Sequence, residues 1–193
     1  MPKSPAELAE ELLQLPPSAI SLTISDETYF DAIRGVVDNF AQKKQINTIY
    51  ISAAIPSQSI IDVLNILEVD MTHIYFVDCI SPIMASAANR HPNVHMVESP
   101  TMLENIMLKV EYLMKKSGDR GNVVLLDSIN MLAIHNSPKI LSEFVHIINN
   151  NMRAKNAYIV IFSIEAFSSE EIGNMMSFVC DLEISMNKDG EGK

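Results

Sequence analysis

The chain has 193 residues, 48% of them hydrophobic and 20% charged, with 14 Lys and Arg against 24 Asp and Glu for a net charge of −10. Such a chain folds as one globular domain burying about 70% of its unfolded surface, which excludes a disordered or collagen-like protein. The acidic balance repels phosphate backbones, so no nucleic-acid partner is expected, and no apolar run reaches the length of a membrane span.

Ser4, Pro5 and Glu7 open a short helix over residues 5–15. Ser4 caps it, Pro5 suits the first helical position, and Glu7 completes a capping box. Pro16 and Pro17 end it. Leu8, Leu12 and Leu15 share one face, and a helix this short must pack somewhere, either on a neighbour or back on its own sheet. Residues 19–25 read as a strand, and Phe30, Ile33, Val36, Val37 and Phe40 form a helical stripe over 28–43. Strands at 47–53 and 73–79 flank a helix at 57–67. Residues 80–92, with Pro82 and Pro92, read as a loop or an irregular turn, and 93–97 as a short strand.

Ser99 is then expected to cap a helix with Pro100 in its first turn, carrying Leu103, Ile106, Met107, Val110, Leu113 and Met114 inward until Gly118 stops it. Residues 122–127 are an apolar run ending in Asp127. Ser137 and Pro138 open a long helix with Ile140, Leu141, Phe144, Ile147 and Ile148 on its inner face. A strand at 157–164 follows, then a capping box of Ser168 and Glu171 before a short helix to about 177, and a closing strand at 178–185. Helices and strands alternate throughout, and the strands at 122–127 and 157–164 are uniformly apolar. That pattern predicts an α/β fold: a mainly parallel sheet with helices on both faces, a three-layer sandwich. The expected organisation is an N-terminal helical extension over 1–17, the α/β domain over 18–186 and a polar tail over 187–193.

Sites in such sheets lie at the carboxyl ends of strands. Acids end four of them: Asp26 and Glu27, Asp78, Asp127 with Ser128, and Glu165 after Ser163. Asp26, Asp78 and Asp127 are the candidate metal ligands, although Asp and Ser also end strands for reasons of turn chemistry alone.

The stretch NVVLLDSINMLAIHNSPKILSEFVHIINNNMRAKNAYIVIFSIE (122–165) resembles the RecA superfamily, and its KaiC-like branch in particular. FSSEEIGNMMSFVCDLEISM (167–186) resembles the closing segment of that family, and NTIYISAAIPSQSIIDVLNIL (47–67) its second strand and helix. The resemblance covers about residues 19–186 and implies a RecA-like P-loop NTPase fold with Asp127 and Ser128 in the Walker B place. There an Asp helps to hold the magnesium ion of a bound nucleoside triphosphate.

A phosphate-binding loop after the first strand needs glycines, a Lys, and Ser or Thr. Here Asp26, Glu27, Thr28, Tyr29, Phe30 and Asp31 follow, with no glycine before Gly35. The carboxylates of Asp26, Glu27 and Asp31 suit a helix N-terminus but repel phosphate. Ala53 and Ala54 stand where the resemblance implies a catalytic Glu. The expectation is therefore a pseudo-ATPase: no enzyme, no catalytic residue, no cofactor, and a regulatory or scaffold subunit that works through protein partners. The resemblance implies a homo-oligomer or a hetero-oligomer with an active ATPase.

Two alternatives stay open. A receiver-like phosphoacceptor domain would use Asp26 and Glu27 as its acid pair, Asp78 as phosphorylated residue and Ser128 as hydroxyl residue, but it lacks a Lys after YIVIF. A nucleotide-binding domain with an unconventional loop would use His135, Asn136 and Ser137. Cys79 and Cys180 lie in apolar runs and read as reduced, buried thiols of a cytoplasmic protein, and the histidines share no metal-ligand spacing. Met107, Met114, Met175 and Met176 read as core, whereas Met84, Met131 and Met152 are candidates for an association surface.

Overall fold

The computed structural model describes residues 1–81 and 91–187. The expected loop over residues 82–90, Met84 within it, and the tail over 188–193 lie outside the described residues.

The apolar runs form seven parallel strands: β1 (Ala19–Ile24), β2 (Asn47–Ser52), β3 (Ile74–Asp78), β4 (Val94–Met96), β5 (Asn122–Asp127), β6 (Tyr158–Ile164) and β7 (Leu182–Ser185). They make one sheet in the order β4-β3-β2-β5-β6-β1-β7. The helices are α1 (Pro5–Leu13), α2 (Tyr29–Arg34), α3 (Ala41–Lys44), α4 (Ser57–Ile66), α5 (Leu103–Lys116), α6 (Ile129–His135), α7 (Pro138–Ala154) and α8 (Glu170–Val179). A π-helical segment, Gly35–Phe40, joins α2 to α3.

Alternation along each strand sorts the buried side chains into two layers. Val123 and Leu125 of β5 join the layer built by α1, α2 and α4, whereas Val124 and Leu126 join that of α5, α6, α7 and α8. On β2, Tyr50 belongs to the first layer, and Ile49 and Ile51 to the second. The sheet is thus covered on both faces, the three-layer sandwich that the strand composition predicts.

Helix α1 folds back on its own chain. Ser4 and Glu7 form the expected capping box. Leu8, Ala9 and Leu12 are fully buried in the first layer. Gly35 makes the close approach possible, since a Cβ there would lie 2.8 Å from Leu8 Cδ2 and 3.1 Å from the Pro5 carbonyl oxygen. Gly118 stops the run after α5 with φ of +65°, as the sequence predicts.

Several boundaries differ from expectation. Helix α5 starts at Leu103, because Ser99 Oγ accepts from Thr101 N–H in a separate turn instead of capping it. Ser169, not Ser168, caps α8, its Oγ accepting from Ile172 N–H. That helix runs to Val179, so β7 begins only at Leu182. Residues 129–135 form α6, an element the sequence reading did not separate from the loop. Met152 is buried in the core, not on a surface. Cys79 is buried but Cys180 is half-buried; both are free thiols. Phe30, Ile140 and Ile147, expected inward, point outward and are substantially exposed.

Gly35→Ala is expected to destabilise the fold by about 1–3 kcal/mol through overpacking against α1. Urea unfolding measures it. Combination with Leu8→Ala should cost less than the sum of the two single variants, because the shortened side chain vacates the nearer clash.

Candidate functional site

Strands β2 and β5 pair with Tyr50 opposite Leu125 and Ser52 opposite Asp127. Two residues beyond Leu125, Asp127 projects on the same face as Tyr50, one step along the diagonal. The Tyr50 hydroxyl donates to Asp127 Oδ2 at 2.5 Å. The Tyr29 hydroxyl, at the start of α2, donates to the same oxygen. Asp127 has no exposed surface, and its Oδ1 has no hydrogen-bonding partner among the described residues. The two tyrosines are themselves packed among aromatic rings: Tyr29 meets Phe30 and Phe162 edge-on at 5.2 and 6.4 Å, and Tyr50 lies 5.5 Å from Phe76.

Burial pushes the Asp127 carboxyl up to about 6, against the pull of the two donated hydrogen bonds. Burial and the neighbouring carboxylate also push both tyrosine hydroxyls up, so they stay neutral and donate. Around the network the backbone is tied down. Ala53 and Ala54 N–H donate to the Asp127 carbonyl oxygen at 2.7 and 3.0 Å. The Asp127–Ser128 peptide is cis, and the buried Ser128 caps α6, its Oγ accepting from Met131 N–H at 3.4 Å.

The acids after β1 stand apart from this network. Asp26 and Glu27 lie on a single turn of 3-10 helix, Asp26–Thr28, closed by Ser25 N–H donating to Thr28 Oγ1 at 2.9 Å. Asp26, Glu27 and Asp31 are all exposed. The residue of this segment that reaches Asp127 is Tyr29, which the sequence reading passed over together with Tyr50. Their signal was present but faint: a hydroxyl-bearing aromatic inside an aliphatic strand, and another at the first position of a helix.

Asp78 serves the fold. Its Oδ2 accepts from Ser57 N–H at 2.9 Å and from the Ser57 and Ser81 hydroxyls at 2.5 Å each. Its Oδ1 accepts from Ile80 and Ser81 N–H, both at 2.9 Å. Burial alone would raise this carboxyl, but the bonds from Ser57 and Ser81 outweigh it and hold it below the usual range. The group caps α4 across the chain, a use of carboxylate that suits a helix N-terminus. Both oxygens are engaged, which leaves the phosphoacceptor reading of Asp78 without support. Asp26, Asp78 and Asp127 form no metal-binding group, and no set of three His, Cys, Asp or Glu side chains does so among the described residues.

Of the unconventional-loop residues, Asn136 has a structural role. Asn136 Nδ2 donates to the Leu132 and Pro100 carbonyl oxygens at 2.8 and 3.1 Å, Ser137 precedes α7, and His135 is exposed. Buried Asn130 receives Ile164 N–H at 2.7 Å and donates to the Phe167 carbonyl at 3.0 Å, which ties α6 to the end of β6. Glu165, beyond Ser163, accepts from Asn187.

No protein-family model matches the chain, and no curated protein matches it in sequence. Solved structures do. A KaiC-like protein of Pyrococcus horikoshii superposes with a TM-score of 0.61 at 11% identity, over 88% of this chain and 72% of the other. The flagellar accessory protein FlaH of Methanocaldococcus jannaschii gives 0.58 at 14%, over 89% and 72%. An uncharacterised P. horikoshii protein, solved with an unknown peptide, gives 0.67 at 14%, over 95% and 84%. The fold is the RecA-like α/β fold of KaiC-like proteins. None of the helices among the described residues is long and apolar enough to cross a membrane.

The raised Asp127 carboxyl has a pH signature. The folded state holds this proton up to about pH 6, whereas the unfolded chain releases it near 3.8. Its contribution to stability therefore falls as pH rises through that window and is level on either side. A shift of about two pKa units corresponds to roughly 3 kcal/mol. Asp127→Asn, which carries no titrating proton, should gain on the wild type by up to that amount between about pH 4 and 6 and run parallel to it above about pH 7. Denaturant midpoints across this range measure the difference, and parallel curves throughout would count against a desolvated Asp127.

Proposed function

We propose that the chain is a RecA/KaiC-like domain whose nucleotide hydrolysis is lost and which works as a regulatory or scaffold subunit. One observation carries the reading: Asp127 Oδ2 accepts from both Tyr29 and Tyr50, and the carboxylate is sealed from solvent. A carboxylate that helps to hold magnesium at a nucleotide must reach the ion or its water shell. Here two phenol hydroxyls engage Oδ2, and the side chain has no exposed surface. The flanking sequence agrees. Between β1 and α2 no glycine frees the backbone to wrap phosphate, no lysine offers a counter-charge, and exposed Asp26 and Glu27 repel a triphosphate. Ala53 and Ala54 offer no carboxylate to activate water.

A domain without its own chemistry acts through protein partners, as a homo-oligomer or beside an active ATPase. Titration calorimetry with magnesium and ATP or ADP tests the first part. Dissociation constants weaker than about 1 mM are expected, near −4 kcal/mol or less in binding. Micromolar affinity would overturn the reading. Solution mass across a concentration series tests self-association, and a monomer at every concentration would leave only the hetero-oligomer.

A further inference from the structure

Two helices of the second layer leave large apolar side chains uncovered. Leu108 on α5 is 63% exposed, and Ile140 and Ile147 on α7 are 53% and 49% exposed. They are not scattered. With Leu103, Met107 and Phe144 they line a groove of about 400 Å³ between the two helices.

The groove has defined ends. Where the helices begin, Asn136 Nδ2 donates to the Pro100 carbonyl oxygen at 3.1 Å. Towards the end of α7, Asn151 Nδ2 donates to Glu111 Oε1 at 3.2 Å, and Lys155 Nζ lies 3.6 Å from the same oxygen. The lining carries three acids, Glu104, Glu143 and, at the second tie, Glu111. Glu111 is paired with Lys155, whereas Glu104 and Glu143 make no salt bridge among the described residues.

An apolar floor between acidic walls selects its complement. Leu103 to Glu111 is eight helical steps, about 12 Å, which matches two to three turns of a third helix lying along the seam. The floor fits apolar side chains at i, i+3 or i+4, and i+7, and the walls fit Lys or Arg on the flanks. The same groove of a second copy would set glutamates against glutamates, a juxtaposition that costs affinity.

We propose that the α5–α7 groove docks a basic amphipathic helix of a partner protein. The proposal rests on the reading that the chain works through protein partners, but not on the state of the nucleotide site. Nucleotide titration and peptide binding therefore fail independently of one another.

The test uses the full chain and two labelled helical peptides that share one leucine stripe, one with Lys on its flanks and one with Glu. Fluorescence anisotropy should show saturable binding of the Lys peptide, at least about tenfold tighter than its Glu twin, or about 1.4 kcal/mol. Ile140→Ala with Ile147→Ala should weaken the Lys peptide about tenfold or more. Both side chains are exposed, so the fold should be retained. Glu104→Lys with Glu143→Lys should reverse the preference towards the Glu peptide. Glu170→Lys with Glu171→Lys on α8 changes net charge equally and should leave the preference intact. The proposal is overturned by absence of saturable binding, by equal binding of the twins, or by a preference that follows net charge wherever it is changed. It is equally overturned if solution mass shows the Ile140→Ala, Ile147→Ala variant abolishing self-association, which would give the groove to a second copy.

Discussion

A carboxylate at the centre of a parallel sheet, sealed from water, constrains everything packed against it. Asp127 lies at the end of β5, between β2 and β6 in the sheet order. Isolated burial of its charge would be prohibitive, so donors must come from the elements stacked above it. Tyr50 comes from the neighbouring strand and Tyr29 from the helix that follows β1. β1 is not adjacent to β5, since β6 stands between them. The hydrogen bond from Tyr29 therefore fixes α2 over the strand ends, and the π-helical turn at Gly35 carries the same helix on to α1. Directional polar contacts thus place this layer on the sheet, Tyr29 to Asp127 for α2 and Ser57 to Asp78 for α4, and apolar packing fills the rest.

The two strand-ending aspartates show how environment decides the role of one residue type. Both are buried. Asp78 has donors on both oxygens, backbone N–H groups on each and two hydroxyls on Oδ2, and its ionised form is favoured despite burial. Asp127 has two phenols on one oxygen and no partner for the other among the described residues, and burial prevails. Asp78 thus behaves as a helix cap that merely happens to end a strand. Asp127 is held instead by two phenols, in a place that turn chemistry does not explain.

The layer architecture was legible because it follows from a period. Uniform runs such as NVVLLD are only stable with helices on both faces, and the alternation of Tyr50 between Ile49 and Ile51 fixes which layer each side chain enters. Caps were legible where the hydroxyl and its acid stand at the right spacing, as at Ser4 and Glu7. They failed at Ser99 and Ser168, where consecutive hydroxyls and prolines offer several starts of similar energy. The site was half legible. Asp127 and Ser128 announced themselves by position, but the acids at 26, 27 and 31 drew attention by charge while Tyr29 between them made the contact. Sequence spacing says which residues are near in the chain. It does not say that a phenol can reach across an intervening strand.

The outward stripes carry a different lesson. Periodicity placed Ile140 and Ile147 with Leu141, Phe144 and Ile148, since all five recur at helical spacing. A helix on one face of a sheet has only one buried stripe, and α7 fills it with Leu141, Phe144, Val145, Ile148 and Met152. Ile140 and Ile147 fall to its flank, where α5 presents Leu108 and not a covering element. An apolar stripe wider than its own core is a surface that water contacts at a cost, and isolated exposed apolar residues are ordinary where contiguous ones are not. Acidic side chains on both helices, Glu104 and Glu111 on α5 and Glu143 on α7, would oppose their own kind across two copies of that surface. Under the docking proposal the net charge of −10 is more than a general repulsion of polyanions: Glu104 and Glu143 would select against a second copy and for a basic partner.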